Sequence, residues 1–203
     1  MSDNAGEILE KIRTMEEELE RRLEEKRKVF RYTVDRNRVI FEEAVHQQNK
    51  KLRTGIGRFL LNSGALQIVA AFVIYLQIIP LLLVDLGVTV FQLVCFPIYG
   101  ISKVARGDFV VIDRHRLGYL NAIEKLNCVY CGYANGLLAY AREVAGRTEE
   151  HFCPIKHARR TRGQHRRYYD FADYGDGAEF KRKMQAIAAK SDAERAKTIH
   201  KDV

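Results

Sequence analysis

Four residues have the types and spacing to share a metal ion. They are Cys128 and Cys131 in the run Asn-Cys-Val-Tyr-Cys-Gly, and Cys153 and His157 in Cys-Pro-Ile-Lys-His. The pattern is C-x2-C, 21 residues, then C-x3-H. A C-x2-C turn holds two thiolates on one side with backbone N–H groups aimed at the sulfurs. A second Cys/His pair would complete a tetrahedral zinc site. Zinc is the expected occupant, with a Cys3His iron–sulfur cluster as the alternative. The spacing also allows a C-x-x-C redox pair, or packing cysteines with no cofactor. Cys95 lies in an apolar stretch and reads as a small apolar filler.

Geometry limits the four-ligand arrangement. Residues 137–150 read as helix, about 21 Å long at ~1.5 Å per residue. Cys131 and Cys153 flank that helix, whereas zinc–sulfur bonds are ~2.3 Å. The site therefore needs a chain break at Gly132–Gly136 that folds Cys131 back, a shorter helix, or ligands from two subunits. Alternatively Cys153 and His157 meet Asp113 and His115, with 114–127 and 137–150 forming an antiparallel hairpin.

A second cluster is basic. Arg159, Arg160, Arg162, Arg166 and Arg167 lie beside Lys156 and His165, and Tyr168, Tyr169, Phe171 and Tyr174 follow at once. Three readings are open: anionic lipid headgroups, salt bridges on the surface or between subunits, and, as the weakest, nucleic acid. Catalytic arrangements are missing: no G-x-S-x-G, no P-loop, no dinucleotide fingerprint and no H-E-x-x-H. Glu143, Glu149 and Glu150 beside Arg142 and Arg147 read as a solvated helix face. No catalytic residue is assigned, and an enzyme is not the expected class.

The run from Asp113-Arg-His-Arg through Leu120-Asn-Ala-Ile-Glu-Lys-Leu-Asn-Cys-Val-Tyr-Cys-Gly-Tyr-Ala-Asn-Gly136 to Cys153-Pro-Ile-Lys-His157 resembles a family of small bacterial two-span membrane proteins. The resemblance covers roughly residues 75–160 and leaves out the N-terminal region. It implies a bacterial membrane protein and no catalytic residues.

The elements that must carry these clusters are read from charge and periodicity. Between Ile56 and Ile101 only Arg58 and Asp85 are charged. A spanning helix needs about 20 apolar residues, so this stretch is long enough for two. Pro80, Asp85 and Gly87 mark a turn between spans at 57–79 and 86–101. A re-entrant hairpin and a buried hairpin in a soluble protein are the alternatives. Lys50, Lys51, Arg53 and Arg58 precede the stretch, and Lys103, Arg106, Arg114 and Arg116 follow it, which places both termini in the cytoplasm. Asp85 then lies near the far face, wetted by headgroups.

Residues 1–56 read as one charged amphipathic helix with an 11-residue repeat. Ile8/Ile12, Leu19/Leu23, Phe30/Val34, Phe41/Val45 and Leu52/Ile56 recur along it, a period that predicts a nearly straight helix. Its narrow stripe suits packing between subunits. The N-terminus has acids where a signal peptide would be basic. Residues 102–174 read as a small helical domain and 175–203 as a charged helix after Gly175–Gly177.

The 203 residues carry a net charge of +8. Residues 1–58 contribute +2, the apolar stretch −1, and 102–203 +7. The expectation is an all-α bacterial inner-membrane protein: a long N-terminal helix, a two-helix transmembrane hairpin and a cytoplasmic helical domain. Its function would be that of an oligomeric scaffold or assembly subunit, with itself and anionic lipid as partners and other membrane proteins as further candidates. A redox or metal-handling protein, and an oligomeric channel or transporter, are the alternatives.

Overall fold

A computed structural model describes residues 3–29, 32–35, 38–41, 47, 49–58, 64–159 and 161–201. The chain divides into two units, one from 1–63 with 113–129, the other from 64–112 with 130–203. Most of the described chain is helical, as the sequence predicts.

In the first unit, helix α1 spans Asp3–Val29. Its Glu/Arg/Lys/Leu composition favours helix, and Glu18 binds Arg21 and Arg22 one turn on. The helix does not continue to residue 55. Strands β1 (Tyr32–Asp35) and β2 (Arg38–Phe41) pair antiparallel, with Tyr32 opposite Phe41 and Asp35 opposite Arg38. The reason is local: Tyr32, Thr33, Val34, Val39, Ile40 and Phe41 are β-branched or aromatic, types that prefer strands. The 11-residue stripe therefore extends over α1 alone. Phe30 and Val45 of that repeat lie outside the described residues.

The second unit begins with α2 (Ala65–Leu76) and α3 (Ile78–Tyr99). Only Gln77 separates them, and its backbone is itself right-handed helical, φ −63° and ψ −12°. The expected hairpin turn at 80–86 is absent; from Ala65 to Tyr99 the chain is one helical run. Pro80 falls in the first turn of α3, where a missing N–H is tolerated. It denies Leu76 its usual i+4 donor, which places the small break at Gln77. Asp85 and Gly87 sit mid-helix. Leu66–Tyr99 forms a single helix of 34 residues, long and apolar enough to cross a membrane. Gly100 ends it in the left-handed conformation, φ 64°, and the N–H of Ile101 closes the cap on the Phe96 carbonyl at 2.8 Å.

Helix α4 (Ala122–Phe152) is unbroken, including Gly132 and Gly136. This corrects the expected break and the hairpin of 114–127 on 137–150. Asn121 caps the helix: its side chain accepts from the N–H groups of Ile123 and Glu124 at 3.0 Å, and Glu124 accepts from the Asn121 N–H at 2.8 Å. The 130–152 part of α4 runs parallel to α3. Asp85 meets Tyr133, Gln92 meets Tyr140 and Tyr99 meets Phe152. Parallel helices need a return crossing, and residues 101–112 supply it as a strap along both. The core is Phe96, Val104, Leu137, Tyr140 and Val144, with Leu81, Val88, Ile101, Phe109 and Tyr133 against it.

Gly136 explains why a glycine sits inside α4. A Cβ there would lie 2.6 Å from the Phe109 carbonyl oxygen and 2.8 Å from the Val110 Cα. The strap crosses α4 at that point, and only hydrogen leaves it room. Helix α5 (Gly177–Lys201) completes the unit, its start capped by Asp176 accepting from the Glu179 N–H at 2.9 Å.

Candidate functional site

The long apolar helix presents two kinds of surface. One narrow stripe of α3 faces the fold: Leu81, Asp85, Val88, Gln92 and Phe96, spaced by three or four residues. Arg106 of the strap grips Asp85 with both ends of its guanidinium, at 3.0 and 2.7 Å, and the Tyr133 hydroxyl donates to the same carboxylate at 3.0 Å. Asp85 is thereby satisfied within the fold. This bidentate geometry is what a guanidinium does best.

Two turns further on, the buried Gln92 clamps the strap backbone. Its Oε1 accepts from the Val104 N–H at 2.8 Å, and its Nε2 donates to the Val104 carbonyl at 3.2 Å and the Tyr140 hydroxyl at 2.7 Å. Arg147 adds donations to the carbonyls of Ser102 and Lys103. The 102–104 part of the strap thus has its backbone groups met by side chains, while the following turn at Arg106–Asp108 makes its own backbone hydrogen bonds.

The rest of the helix surface is mostly apolar and open, apart from Tyr75, whose ring packs on Tyr130. Leu66, Ile68, Val69, Phe72, Val73, Ile74, Leu76, Ile79, Leu82, Leu83 and Val84 are exposed, up to 85% for Leu66. None of the most apolar part of the helix is buried. Farther along, Leu86, Val90, Leu93, Val94 and Ile98 form an exposed seam on the face away from the strap. A contiguous apolar surface of this size marks a membrane or protein contact.

The cysteines do not converge. Cys128 and Cys131 lie three residues apart on α4, and Cys153 follows the end of that helix. Twenty-two steps at ~1.5 Å put about 33 Å between Cys131 and Cys153. The four expected ligands, Cys128, Cys131, Cys153 and His157, therefore cannot hold one ion within one chain. Among the described residues no group of three or more His, Cys, Asp or Glu is placed to hold a metal. All four cysteines are free thiols. The His157 ring stacks on Tyr168, with centroids 5.9 Å apart, and its backbone N–H donates to the Tyr168 hydroxyl at 2.6 Å. Asp113 and His115 fall in the first unit, Cys153 and His157 in the second.

The basic run is divided by the fold. Arg159, Arg162 and Arg166 are exposed, and Arg160 lies outside the described residues. Arg167 turns inward and binds Glu143 at 3.0 Å and Glu150 at 2.9 Å. His165 is buried against Glu149 at 2.8 Å. The carboxylates expected to be a solvated face thus anchor the 153–172 segment to α4. Burial alone would raise the Glu143 carboxyl, but hydrogen bonds from Arg147 and Arg167 outweigh it and hold it below its ordinary value. Burial also depresses His151, aided by nearby Arg195.

Sequence reasoning missed the Arg106–Asp85 pair, the Gln92 clamp and the inward turn of Arg167. For Gln92 the signal was present: Asp85 and Gln92, seven residues apart, share a face of an otherwise apolar helix. Compared with known proteins, the chain matches no protein family, no curated protein and no solved structure.

Proposed function

We propose that the chain is a membrane-anchored, self-associating scaffold. The observation behind this is the 34-residue apolar helix whose outward faces are open along its whole length. Its first part, Leu66–Val84, carries no charge, with Gln67 and Gln77 as its amides among apolar and aromatic side chains. At ~1.5 Å per residue it covers about 28 Å, close to a bilayer core of ~30 Å. From Asp85 onward the polar strap and the charged α4 run alongside, and neither belongs in hydrocarbon. The Asp85–Arg106–Tyr133 cluster then marks the level at which the helix leaves the lipid.

The whole helix, at about 51 Å, is too long to span upright. Its remaining seam of Leu86, Val90, Leu93, Val94 and Ile98 is left for another protein surface, and a second copy is the simplest occupant. The exposed Arg159, Arg162 and Arg166 suit anionic headgroups beside such an anchor. The resemblance to bacterial membrane proteins points to the inner membrane.

A zinc ion on Cys128, Cys131, Cys153 and His157 would have to bridge two chains. Mass and metal content measured on one sample in mild detergent test both points. An oligomer supports the scaffold and a monodisperse monomer contradicts it. Zinc in the oligomer that is lost in Cys131→Ser supports a bridged site, and metal-free oligomer removes it.

A further inference from the structure

Past the end of the apolar helix, the second unit encloses a polar cavity of about 280 Å³. The start of the strap, Gly100–Ser102, forms one side of it. Helix α4 contributes Arg147, Glu150 and His151, helix α5 contributes Lys190 and Ser191, and Arg167 joins from the 153–172 segment. The two helices are brought together here by close packing: a Cβ on Gly100 would overlap the Ser191 carbonyl.

The charges in and around the cavity do not balance. Arg147 and Arg167 share Glu143, which stands behind the lining, and Arg167 also holds Glu150. Two carboxylates thus answer three cations, and Lys190 is exposed with no partner among the described residues. The buried Nε–H of Arg167 has no acceptor among them either, and a buried donor left unmade costs free energy. The Ser191 hydroxyl lies 3.5 Å from the His151 Nδ1, at the outer limit of a hydrogen bond. Arg147 is held in place by its donations to the Ser102 and Lys103 carbonyls, so the cationic wall is arranged before any ligand arrives.

We propose that this cavity binds a phosphate group carried by a small soluble molecule. A phosphate brings about −1.5 to −2 charge at pH 7 and three acceptor oxygens. Those oxygens answer an excess cation, a free ammonium and a hydroxyl together, where a carboxylate has two oxygens and one charge. The volume lies just below the ~300–1,000 Å³ of drug-sized ligand pockets, which suits a small phosphate ester. A lipid headgroup carries the same chemistry. Gly100, however, lies about 22 Å along the helix axis from Asp85, where the proposed anchor leaves the bilayer, so headgroups of that bilayer do not reach the cavity.

The test titrates the full chain, in a mild uncharged detergent, with inorganic phosphate at fixed ionic strength. A parallel titration uses short-chain phosphatidylglycerol, and calorimetry reads both. Lys190→Gln removes a lining ammonium that holds nothing in the fold, so its thermal midpoint without phosphate stays that of wild type. Arg162→Gln, on the exposed basic run, is the control. The expected result is saturable phosphate binding that is about tenfold weaker in Lys190→Gln, retained in Lys190→Arg and unchanged in Arg162→Gln. Saturable binding of the lipid alone, weakened by Lys190→Gln, supports the phosphate site and overturns its soluble source. Wild-type binding in Lys190→Gln, an equal or larger loss in Arg162→Gln, or no saturable binding of either probe overturns the proposal.

Discussion

Gln92 and Arg106 are the residues that join the strap to the apolar helix, and each can be removed singly. Gln92→Ala leaves the Val104 N–H and carbonyl buried without partners. The expected loss is about 2 kcal/mol, read as a lower thermal midpoint in detergent. Arg106→Ala leaves the Asp85 carboxylate with only the Tyr133 and Thr89 hydroxyls. Its cost is smaller, about 1 kcal/mol, because the guanidinium is partly open to solvent; Arg106→Ala combined with Asp85→Asn recovers part of it. Glu143 gives a pH signature. Its folded value lies below its unfolded one, so its contribution is complete above the unfolded value of about 4.3 and fades as pH falls through the folded value. Melting at about pH 7 and again at about pH 3 checks this: Glu143→Gln lowers the midpoint at the higher pH and removes part of the acid-induced drop. A variant with the same acid sensitivity as wild type contradicts it.

At the scale of elements, the sequence was most legible where one rule acted alone. The apolar stretch and the charged α1 follow from composition, and both formed helices. Boundaries were lost where two rules competed. Pro80, Asp85 and Gly87 together resemble a turn. Yet proline in a first turn costs little, and Asp85 has Arg106 to answer it from a segment 21 residues away, which no local pattern reveals. Gly132 and Gly136 resemble breakers, whereas Gly136 is required by the strap lying on it. The N-x-x-E capping box at Asn121 was the local sign that α4 begins early, and an early start is what separates the cysteines. The C-x2-C and C-x3-H spacings were legible as motifs; their convergence depended on a chain break that tertiary packing removed. Gly136→Ala is expected to destabilise the second unit by about 1–3 kcal/mol through the clash with Phe109 and Val110. Gly107→Ala, in open space, is expected to be near neutral. Equal effects of the two would remove the strap's close approach from the account.

For the whole molecule, the proposal rests on one solvent boundary. One helical run, Leu66–Tyr99, stands where a two-span hairpin was expected; the proposed single crossing puts the two termini on opposite sides of the membrane. Reporter fusions at the two termini are expected to give opposite signals; equal signals from both would restore a re-entrant path. The most direct measurement concerns the anchor itself. The full chain is expressed in bacteria, the membranes are washed with alkaline carbonate, and pellet and wash are compared with a variant carrying Ile74→Arg and Leu82→Arg in the uncharged first part of the helix. The account predicts that the wild-type chain stays in the membrane pellet and the variant passes largely into the wash. Wild-type protein recovered in the wash would contradict it.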